Sequence, residues 1–355
     1  MPERTGRTLT LRRPDDAHLH LRDGEALAAV VGATAAQFAR AVVMPNLRPP
    51  VRTAADAQAY RARIVAALPA AAAFEPLMTL YLTEQTDPNA MAAAKAAGVF
   101  GCKLYPAGAT TNSDAGVREI ARVDEVLAAM AEAGLPLLIH GEVTDEEVDV
   151  FDREAVFVER TLAPLVARHP RLRVVLEHVT SATGVAFVAS AREGVAATLT
   201  AHHLLIDRNA MLVGGIRPHL YCLPILKTRA DREALLQAAT SGSPRFMLGT
   251  DSAPHEVGRK ESECGCAGSY TAPVALQLYA EAFESVGRLD RLEAFASAHF
   301  ADFHGLPRNE GTVTLVEEEV AVPSALPFGD GADGPLRVRP FRAGESVRWR
   351  VSYGV

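Results

Sequence analysis

Short apolar runs separated by helical segments recur along most of the chain. There are eight such runs; most are too short for helices and they lack a clean alternation of polar and apolar residues, so they predict strands that are buried on both faces. Strands that alternate in this way with helices predict an α/β fold, a (β/α)8 TIM barrel over residues 1–305. The runs are Thr8–Leu11, which leads to His18, and Ala41–Met44, Leu77–Leu82, Val99–Leu104, Leu135–Ile139, Leu172–Leu176, Val195–Leu199 and Phe246–Leu248.

The segments between the runs carry the start and stop signals of helices. Asp87 and Pro88 provide an N-cap and a first helical position, and Gly98 ends the helix that they begin. Further helices are expected within residues 120–134, 181–194, 228–242, 271–287 and 299–305. A doubly wound open sheet is the alternative fold, but no Gly-x-Gly-x-x-Gly follows any of the runs, which removes its usual dinucleotide site.

The pattern changes after Gly305. Residues 312–316 and 319–322 predict two short strands, and Pro and Gly become frequent over residues 323–340. We interpret residues 306–355 as a C-terminal extension that packs on the barrel, rather than as a second domain.

Composition excludes several classes of protein. Hydrophobic residues make up 48% of the chain, and 36 Lys and Arg against 43 Asp and Glu give a net charge of -7, so a disordered chain and a dedicated nucleic-acid binder are not expected. Four cysteines are too few for a disulfide framework, and the pair Cys264 and Cys266 lacks the second pair that a structural zinc site needs. No run approaches the ~18 apolar residues of a membrane span. Because Met1–Arg7 also has no apolar stretch after it, we predict a cytoplasmic protein.

Six ionisable or metal-binding side chains follow or end five of the predicted strands, at the end of the barrel where active sites lie. On a strand, residues two apart point to the same side, so a His-x-His pair could direct both imidazoles at one ion. A lone His-x-His is weak evidence, and a single histidine at a strand end is more often part of the core. The whole set is harder to explain in that way, because inward polar groups are costly to bury. We therefore predict a metal site formed by His18, His20, Lys103, His140, His178 and Asp251.

Lys103 is unusual among these residues, because an ammonium offers no lone pair to a cation and would be repelled by one. One interpretation is that burial near cations lowers the pKa of Lys103, so that its neutral amine captures carbon dioxide and becomes an anionic carbamate able to bridge two metals. The alternative is that Lys103 binds an anionic substrate as a point charge.

The order His-x-His, Lys, His, His, Asp resembles the amidohydrolase superfamily. The short sequence motifs around these residues are similar to those of its dihydroorotase family, specifically the shorter bacterial single-function type. Ala17 departs from that pattern, since an aromatic residue is expected there. The motifs that carry the resemblance span residues 16 to 268. They are Asp16–Gly24, Met44–Asn46, Lys103–Pro106, Gly108–Ser113, Cys222–Lys227, Gly249–His255 and Cys266–Gly268.

The resemblance implies a centre with two Zn²⁺ ions per subunit. His18, His20 and Asp251 would hold one ion, His140 and His178 the other, and carbamylated Lys103 (N6-carboxylysine, formed with carbon dioxide) would bridge them. Asp251 would act as general base and acid. The implied reaction is the reversible cyclisation of N-carbamoyl-L-aspartate to L-dihydroorotate, the third step of de novo pyrimidine (UMP) biosynthesis, and the implied assembly is a homodimer.

The resemblance also implies the substrate contacts. Arg22, two residues beyond His20, would bind the substrate carboxylate that does not react, and Asn46 and His255 would complete that carboxylate clamp. Backbone groups of Leu223 and Ala267 would read the amide edge of the ring. Thr110 and Thr111 would lie on a loop that closes over the substrate.

Two other functions remain alternatives from the sequence. A hydantoinase would use the same metal set, although a neutral ring would not need Arg22 and Asn46. A catalytically dead scaffold barrel would be expected to have lost metal ligands, and here all six positions are filled. We also expect Glu177 to point away from the ligands, and His202 and His203 to face solvent or to support the site.

Overall fold

The computed structural model describes residues 6–332 and 334–353. The first five residues of the predicted barrel, Asp333 and the last two residues of the predicted extension therefore lie outside the described residues. Five of the seven N-terminal residues that the signal-peptide prediction concerns are among those outside the described residues. No helix in the described residues is both long and apolar enough to cross a membrane.

The described residues form thirteen strands. Eight of them, β2 to β9, make one parallel sheet in sequential order, and the other five lie outside it. In chain order they are β1 Thr8–Arg12, β2 Asp15–Leu19, β3 Arg40–Val43, β4 Glu75–Tyr81, β5 Gly101–Leu104, β6 Leu137–His140, β7 Val174–Glu177, β8 Val195–Leu199, β9 Phe246–Leu248, β10 Thr312–Ala321, β11 Leu326–Gly331, β12 Gly334–Val338 and β13 Ser346–Tyr353.

The helices follow the parallel strands and enclose the sheet. The α-helices are α1 Gly24–Gln37, α2 Ala54–Ala67, α3 Met91–Ala96, α4 Asp124–Ala133, α5 Arg153–Phe157, α6 Ala163–Arg168, α7 Ala182–Ser190, α8 Ala201–Leu205, α9 Arg208–Leu212, α10 Arg229–Thr240, α11 Val257–Lys260, α12 Ala275–Ser285 and α13 His299–His304. Two π-helical segments, Val158–Leu162 and Ala294–Ala298, lead into α6 and α13. Five 3₁₀ turns complete the set, at Pro88–Ala90, Ile120–Val123, Pro218–Leu220, Ala272–Val274 and Leu289–Arg291.

The helix signals in the sequence are borne out at several ends. The Asp87 side chain accepts a hydrogen bond at the start of Pro88–Ala90, and Gly134 ends α4 in the left-handed conformation with φ 70°. The segment that the sequence extends from residue 181 to 194 is shorter as a helix, because α7 ends at Ser190. The (β/α)8 barrel predicted from the repeated pattern is confirmed.

The parallel strands are buried on both faces, as their lack of alternation predicts. On one face, residues such as Val42, Leu138 and Met247 join a small inner cluster with Phe100 and Phe300. Their neighbours along the strands belong to the larger cluster between the sheet and the helices. Every position of β3, β5, β6, β7, β8 and β9 is buried.

The first predicted strand is wrong in its placement. Thr8–Arg12 does not belong to the barrel but pairs antiparallel with β10, with Leu9 opposite Leu315. The first barrel strand is β2, which carries His18 directly. The error has a physical cause: the first barrel strand buries polar residues and so does not look like an apolar run, whereas Thr8–Arg12 does, and only two residues separate the two strands.

The C-terminal strands form small antiparallel sheets outside the barrel. One sheet has the order β1-β10-β13, and the other pairs β11 with β12. Residues 312–322 predict two strands, but the structure has the single strand β10, whose register with β13 shifts between Glu317 and Val320. That irregularity explains why the sequence pattern is interrupted there.

A buried ion pair joins the start of β2 to the start of β3. Arg40 donates from Nε and Nη2 to the two oxygens of Asp15, at 2.8 and 2.9 Å, and the Asp15 carboxylate is fully buried. Asn309, which precedes β10, donates to the same carboxylate at 2.8 Å. The pair therefore connects the end of the barrel opposite the predicted site to the chain that leaves it.

We expect Asp15→Ala to lower the free energy of unfolding by about 3–5 kcal/mol, because it leaves the Arg40 guanidinium buried without its partner. Asp302→Ala is the matched control. Asp302 makes the same two-bond contact with Arg308, but both side chains are about half exposed, so the loss should be about 1 kcal/mol or less. Urea unfolding of both variants measures the difference, and equal losses would contradict the role of burial.

Candidate active site

Three acceptor atoms meet where the barrel closes. His18 Nε2 lies 3.3 Å from His20 Nε2 and 3.3 Å from Asp251 Oδ1, and His20 Nε2 lies 3.1 Å from the same oxygen. β2 carries His18, His20 comes directly after its end, and Asp251 follows β9 at the other edge of the sheet. All three side chains are buried or nearly so.

The protonation of these groups leaves lone pairs facing one another. Burial lowers the pKa of His18 and brings that of His20 to about 4, so both imidazoles are neutral at pH 7. Burial alone would raise the pKa of Asp251, but the adjacent His18 and His20 hold it well below its usual range. The His20 Nδ1 bond to Asn46 Oδ1, at 2.9 Å, places the proton of His20 on that nitrogen and leaves Nε2 bare.

This arrangement suits a cation. Ligand atoms about 2.0 Å from a tetrahedral ion lie about 3.3 Å apart, which is the spacing of the three acceptors. His18, His178 and Asp251 also form a buried group whose ligand atoms all lie within 4.8 Å of one another. His178 Nδ1 is buried without a hydrogen-bond partner, a costly state that a metal ion would relieve.

His140 and His178 lie on the other side of this group. Their ring centroids are 4.8 Å apart, and the His178 ring is 5.1 Å from that of His18. His140 Nε2 bonds to Glu142 Oε2 at 2.7 Å, with both side chains buried. A carboxylate on one nitrogen fixes the orientation of the ring and leaves the other nitrogen available to a ligand.

Lys103 lies on β5 beneath the histidines and is completely buried. Burial lowers its pKa well below the ordinary value, which favours the neutral amine. Its Nζ contacts the carboxylate of Glu177, and the same carboxylate oxygen lies 3.1 Å from His18 Nδ1. The expectation that Glu177 points away from the ligands is therefore wrong.

A regular strand would have directed Glu177 and His178 to opposite sides, but β7 ends at Glu177 and His178 has φ 43°. Glu177 faces inward as Val175 does two residues earlier on β7, and the left-handed turn at His178 brings that side chain to the centre as well. Asp251 has φ 44°, so two of the six predicted ligands sit in a conformation that non-glycine residues rarely adopt.

Arg22 and His255 lie side by side above the metal-binding side chains. Arg22 Nη2 is 3.0 Å from His255 Nε2, and Arg22 Nε donates to the Pro254 carbonyl at 2.9 Å. His255 Nε2 is also 2.9 Å from the Ala267 carbonyl, so one proton on that nitrogen decides which of the two bonds forms. Burial beside Arg22 lowers the pKa of His255 well below its usual value.

The loop that carries Thr110 and Thr111 covers one side of the pocket. Asn46 Nδ2 donates to the Thr111 carbonyl at 3.1 Å, and Thr111 Oγ1 lies 3.4 Å from the Ala267 carbonyl. Thr110 is held within its own loop by Ser113, whose hydroxyl accepts from the Thr110 amide at 2.9 Å. The loop thus reaches across the pocket, from Asn46 to the segment that contains Ala267.

The structure brings the predicted site residues together around one pocket at the mouth of the barrel. Lys103 lies below this pocket and His255 behind Arg22, and neither lines it. The lining includes the remaining predicted residues His18, His20, Arg22, Asn46, Thr110, Thr111, His140, His178, Leu223, Asp251 and Ala267.

A second group of possible metal ligands lies apart from the predicted set. His202, His203 and Cys222 are buried with their ligand atoms within 4.8 Å of one another, so the two histidines do not face solvent, which was one of the two expectations for them. Both nitrogens of His203 already have partners, Thr200 at 2.6 Å and the Pro224 carbonyl at 3.0 Å.

Sequence reasoning missed two acidic residues of the site. Glu142 lies two residues after His140, so the rule that links His18 to His20 could have found it. Asp16 is fully buried and accepts hydrogen bonds from the amides of His18 and Thr250 and from the Thr250 hydroxyl, which joins the two edges of the barrel. Burial raises the pKa of Asp16 to about 6. No pattern in the sequence separates Asp16 from an ordinary N-terminal aspartate.

Comparison with known proteins agrees with the geometry. The model of the amidohydrolase family matches residues 16–315. Proteins named dihydroorotase from Cupriavidus metallidurans and Alkalilimnicola ehrlichii are 61% and 62% identical, each over 97% of this chain and 99% of the relative.

Solved structures extend the comparison to the fold. A dihydroorotase from Campylobacter jejuni superposes with a TM-score of 0.89 at 37% identity, and one from Saccharomyces cerevisiae, in complex with 5-fluoroorotic acid, with 0.88 at 31%. Each pair covers 98% of both chains. An L-hydantoinase from Arthrobacter aurescens, 16% identical with a TM-score of 0.77, shares the fold alone. The chain belongs to the dihydroorotase family of the amidohydrolases.

Proposed function

We propose that this chain interconverts N-carbamoyl-L-aspartate and L-dihydroorotate at a centre of two Zn²⁺ ions. The observation that carries the proposal is the convergence of His18 Nε2, His20 Nε2 and Asp251 Oδ1 within 3.3 Å, directly below the Arg22 guanidinium. Such a pocket offers a cation to bind and polarise an amide carbonyl, and a second positive group for a carboxylate.

The remaining predicted ligands fit the same proposal. His140 and His178 would hold the second ion. Lys103, neutral because it is buried, would add to carbon dioxide and bridge the two ions as the carbamate. The two ions would supply Lewis-acid chemistry and lower the pKa of water, so that a nucleophile exists at neutral pH.

The chain's own residues account for the other requirements. Arg22 binds the unreactive carboxylate with its guanidinium, and Asn46 and His255, which contacts Arg22 at 3.0 Å, complete the carboxylate clamp. Asp251, ionised at pH 7, takes a proton from the attacking water and returns it to the departing ring nitrogen. Backbone groups of Leu223 and Ala267 read the amide edge of the ring, and the loop with Thr110 and Thr111 excludes water.

We also propose the organisation of the chain. Residues 1–305 would be the catalytic barrel and residues 306–355 an extension packed on it. The position of β10 to β13 outside the barrel sheet supports this division, although β1, within residues 1–305, joins the sheet of β10 and β13. The homodimer is proposed on the family resemblance alone.

The purified chain, with its metal content counted, should hydrolyse L-dihydroorotate and form it from N-carbamoyl-L-aspartate. It should act poorly on hydantoin, because a neutral ring leaves Arg22 without its partner. A chelator should abolish turnover and Zn²⁺ should restore it. An inactive but zinc-loaded protein would overturn the proposal, and faster turnover of hydantoin would favour the hydantoinase alternative.

Lys103→Ala tests the carbamate. It should lower kcat by about 10³-fold or more, because the bridge between two cations contributes several kcal/mol to transition-state stabilisation. Short carboxylic acids should restore part of the activity by occupying the space of the carbamate. The control is Lys95→Ala, which replaces an exposed lysine on α3 and should leave kcat and metal content unchanged. If no carboxylic acid restores activity or metal content, the carbamate is contradicted and Lys103 as an anion-binding group is favoured.

Arg22→Met should raise the KM for L-dihydroorotate by about 10²-fold, the loss of one or two charge-assisted hydrogen bonds worth about 1.5–3 kcal/mol each. Metal content should be unchanged, because Arg22 does not contact the ligand atoms. Arg63→Met is the control, since Arg63 pairs with Asp23 at the surface. A KM within twofold of the wild-type value would remove Arg22 from substrate binding.

A further inference from the structure

Lys260, the last residue of α11, holds a buried charge with an uncommon set of partners. Its side chain is 3% exposed, and Nζ donates to the main-chain carbonyls of Tyr221, Cys266 and Gly268 at 2.7, 2.8 and 2.9 Å. Among the described residues no carboxylate pairs with Nζ; all three ammonium hydrogens go to carbonyls. A charge buried in this way needs these bonds to offset its desolvation.

The three carbonyls belong to the two segments that form one wall of the pocket. One segment contains Tyr221 and Leu223, and the other runs from Cys266 to Gly268 around Ala267. They meet directly at a single backbone bond, from the Gly268 amide to the Tyr221 carbonyl at 3.0 Å. Lys260 is therefore the main polar connection between the two segments.

The direction of the carbonyls is informative. The carbonyls of Cys266 and Gly268 point to Lys260. The carbonyl of Ala267, between them, points instead to His255 and Thr111 on the pocket side. Gly268 has φ 148°, and a Cβ there would lie 2.7 Å from the Ala253 side chain, so the backbone must pass close to the strand end. The ammonium thus fixes which carbonyl of the segment faces the ligand.

We propose that Lys260 is a positioning residue for substrate binding: its ammonium sets the spacing and direction of the Leu223 and Ala267 backbone groups that read the amide edge of the ring. This inference rests on the proposed function. Lys260 itself touches neither the substrate pocket nor the metal-binding side chains. Its effect should therefore appear in substrate affinity, with little change at the reacting atoms.

Lys260→Met keeps the length of the side chain and removes its donors. We expect KM for L-dihydroorotate to rise roughly 10- to 100-fold, because displaced recognition groups are costly, while kcat changes by less than about threefold and zinc content stays the same. Lys227→Met is the matched control: Lys227 is also buried, but its Nζ donates to one carbonyl, that of Ile225, within its own segment. Its KM should stay within about twofold.

The charge can also be tested without a variant that risks misfolding. Burial, with Arg22, lowers the pKa of Lys260 to about 8, against the opposing effects of Cys222 and Cys266. The other groups around it are the Tyr221 ring, 5.7 Å from Nζ, and the neutral imidazoles of His202 and His255. Below pH 8 the ammonium holds all three carbonyls, and above it the amine loses one donor. KM of the wild-type chain should therefore rise above pH 8.

The outcomes separate the two proposals. If the wild-type chain does not turn over dihydroorotate, the proposed function fails irrespective of Lys260. If it does, three results would overturn the inference: Lys260→Met with an unchanged KM, an equal rise of KM in Lys227→Met, or a loss confined to kcat.

Should Lys260→Met fail to fold, the pH series on the wild-type chain and on Lys260→Arg decides. The rise above pH 8 should vanish in Lys260→Arg, and a KM flat to pH 10 in the wild type would contradict the role of the charge.

Discussion

The geometry of the site depends on how the barrel closes. β2 and β9 are joined beyond their ends, where the Asp251 amide donates to the His18 carbonyl at 2.9 Å and the His20 amide donates to the Ser252 carbonyl at 3.1 Å. Three of these four residues are candidate metal ligands. The backbone bonds that close the sheet therefore also set the distances between His18, His20 and Asp251, and a shift in one would change the other.

Asp16 strengthens this junction between β2 and the residues that follow β9. It lies on β2, and its carboxylate takes three hydrogen bonds, two of them from Thr250, the residue before Asp251. Repulsion between the bare acceptors above it would otherwise push the two edges of the barrel apart when no cation is bound. The contacts that close the barrel thus also fix the positions of the candidate ligands, and they hold the left-handed turn at Asp251 despite its cost.

The sequence was sufficient for the barrel and for the six side chains at its mouth, because both depend on short-range periodicity. Strand ends of a parallel barrel share one edge, so residue order alone brings His18, His140 and Asp251 together. The predictions that failed concern residues whose position depends on local backbone geometry or on a partner that is distant in the sequence. Glu177 faces inward by the alternation of β7, as Val175 does, and the left-handed conformation of His178 turns that side chain inward as well. The partners of Lys260 are main-chain carbonyls, which no residue type in the sequence indicates. Thr8–Arg12 has a partner more than 300 residues away.

That last contact has a consequence for how the chain is made. β1 is synthesised first among the strands, yet its hydrogen-bonding edge is completed only by β10, which leaves the ribosome after the whole barrel. The barrel strands can pair with their neighbours as they emerge, since each follows the previous one in sequence. β1 has no such neighbour and therefore lacks its partner strand until β10 is made. Its residues alternate between exposed and buried, with Leu11 the one fully covered, unlike barrel strands such as β3 and β5, which are buried at every position.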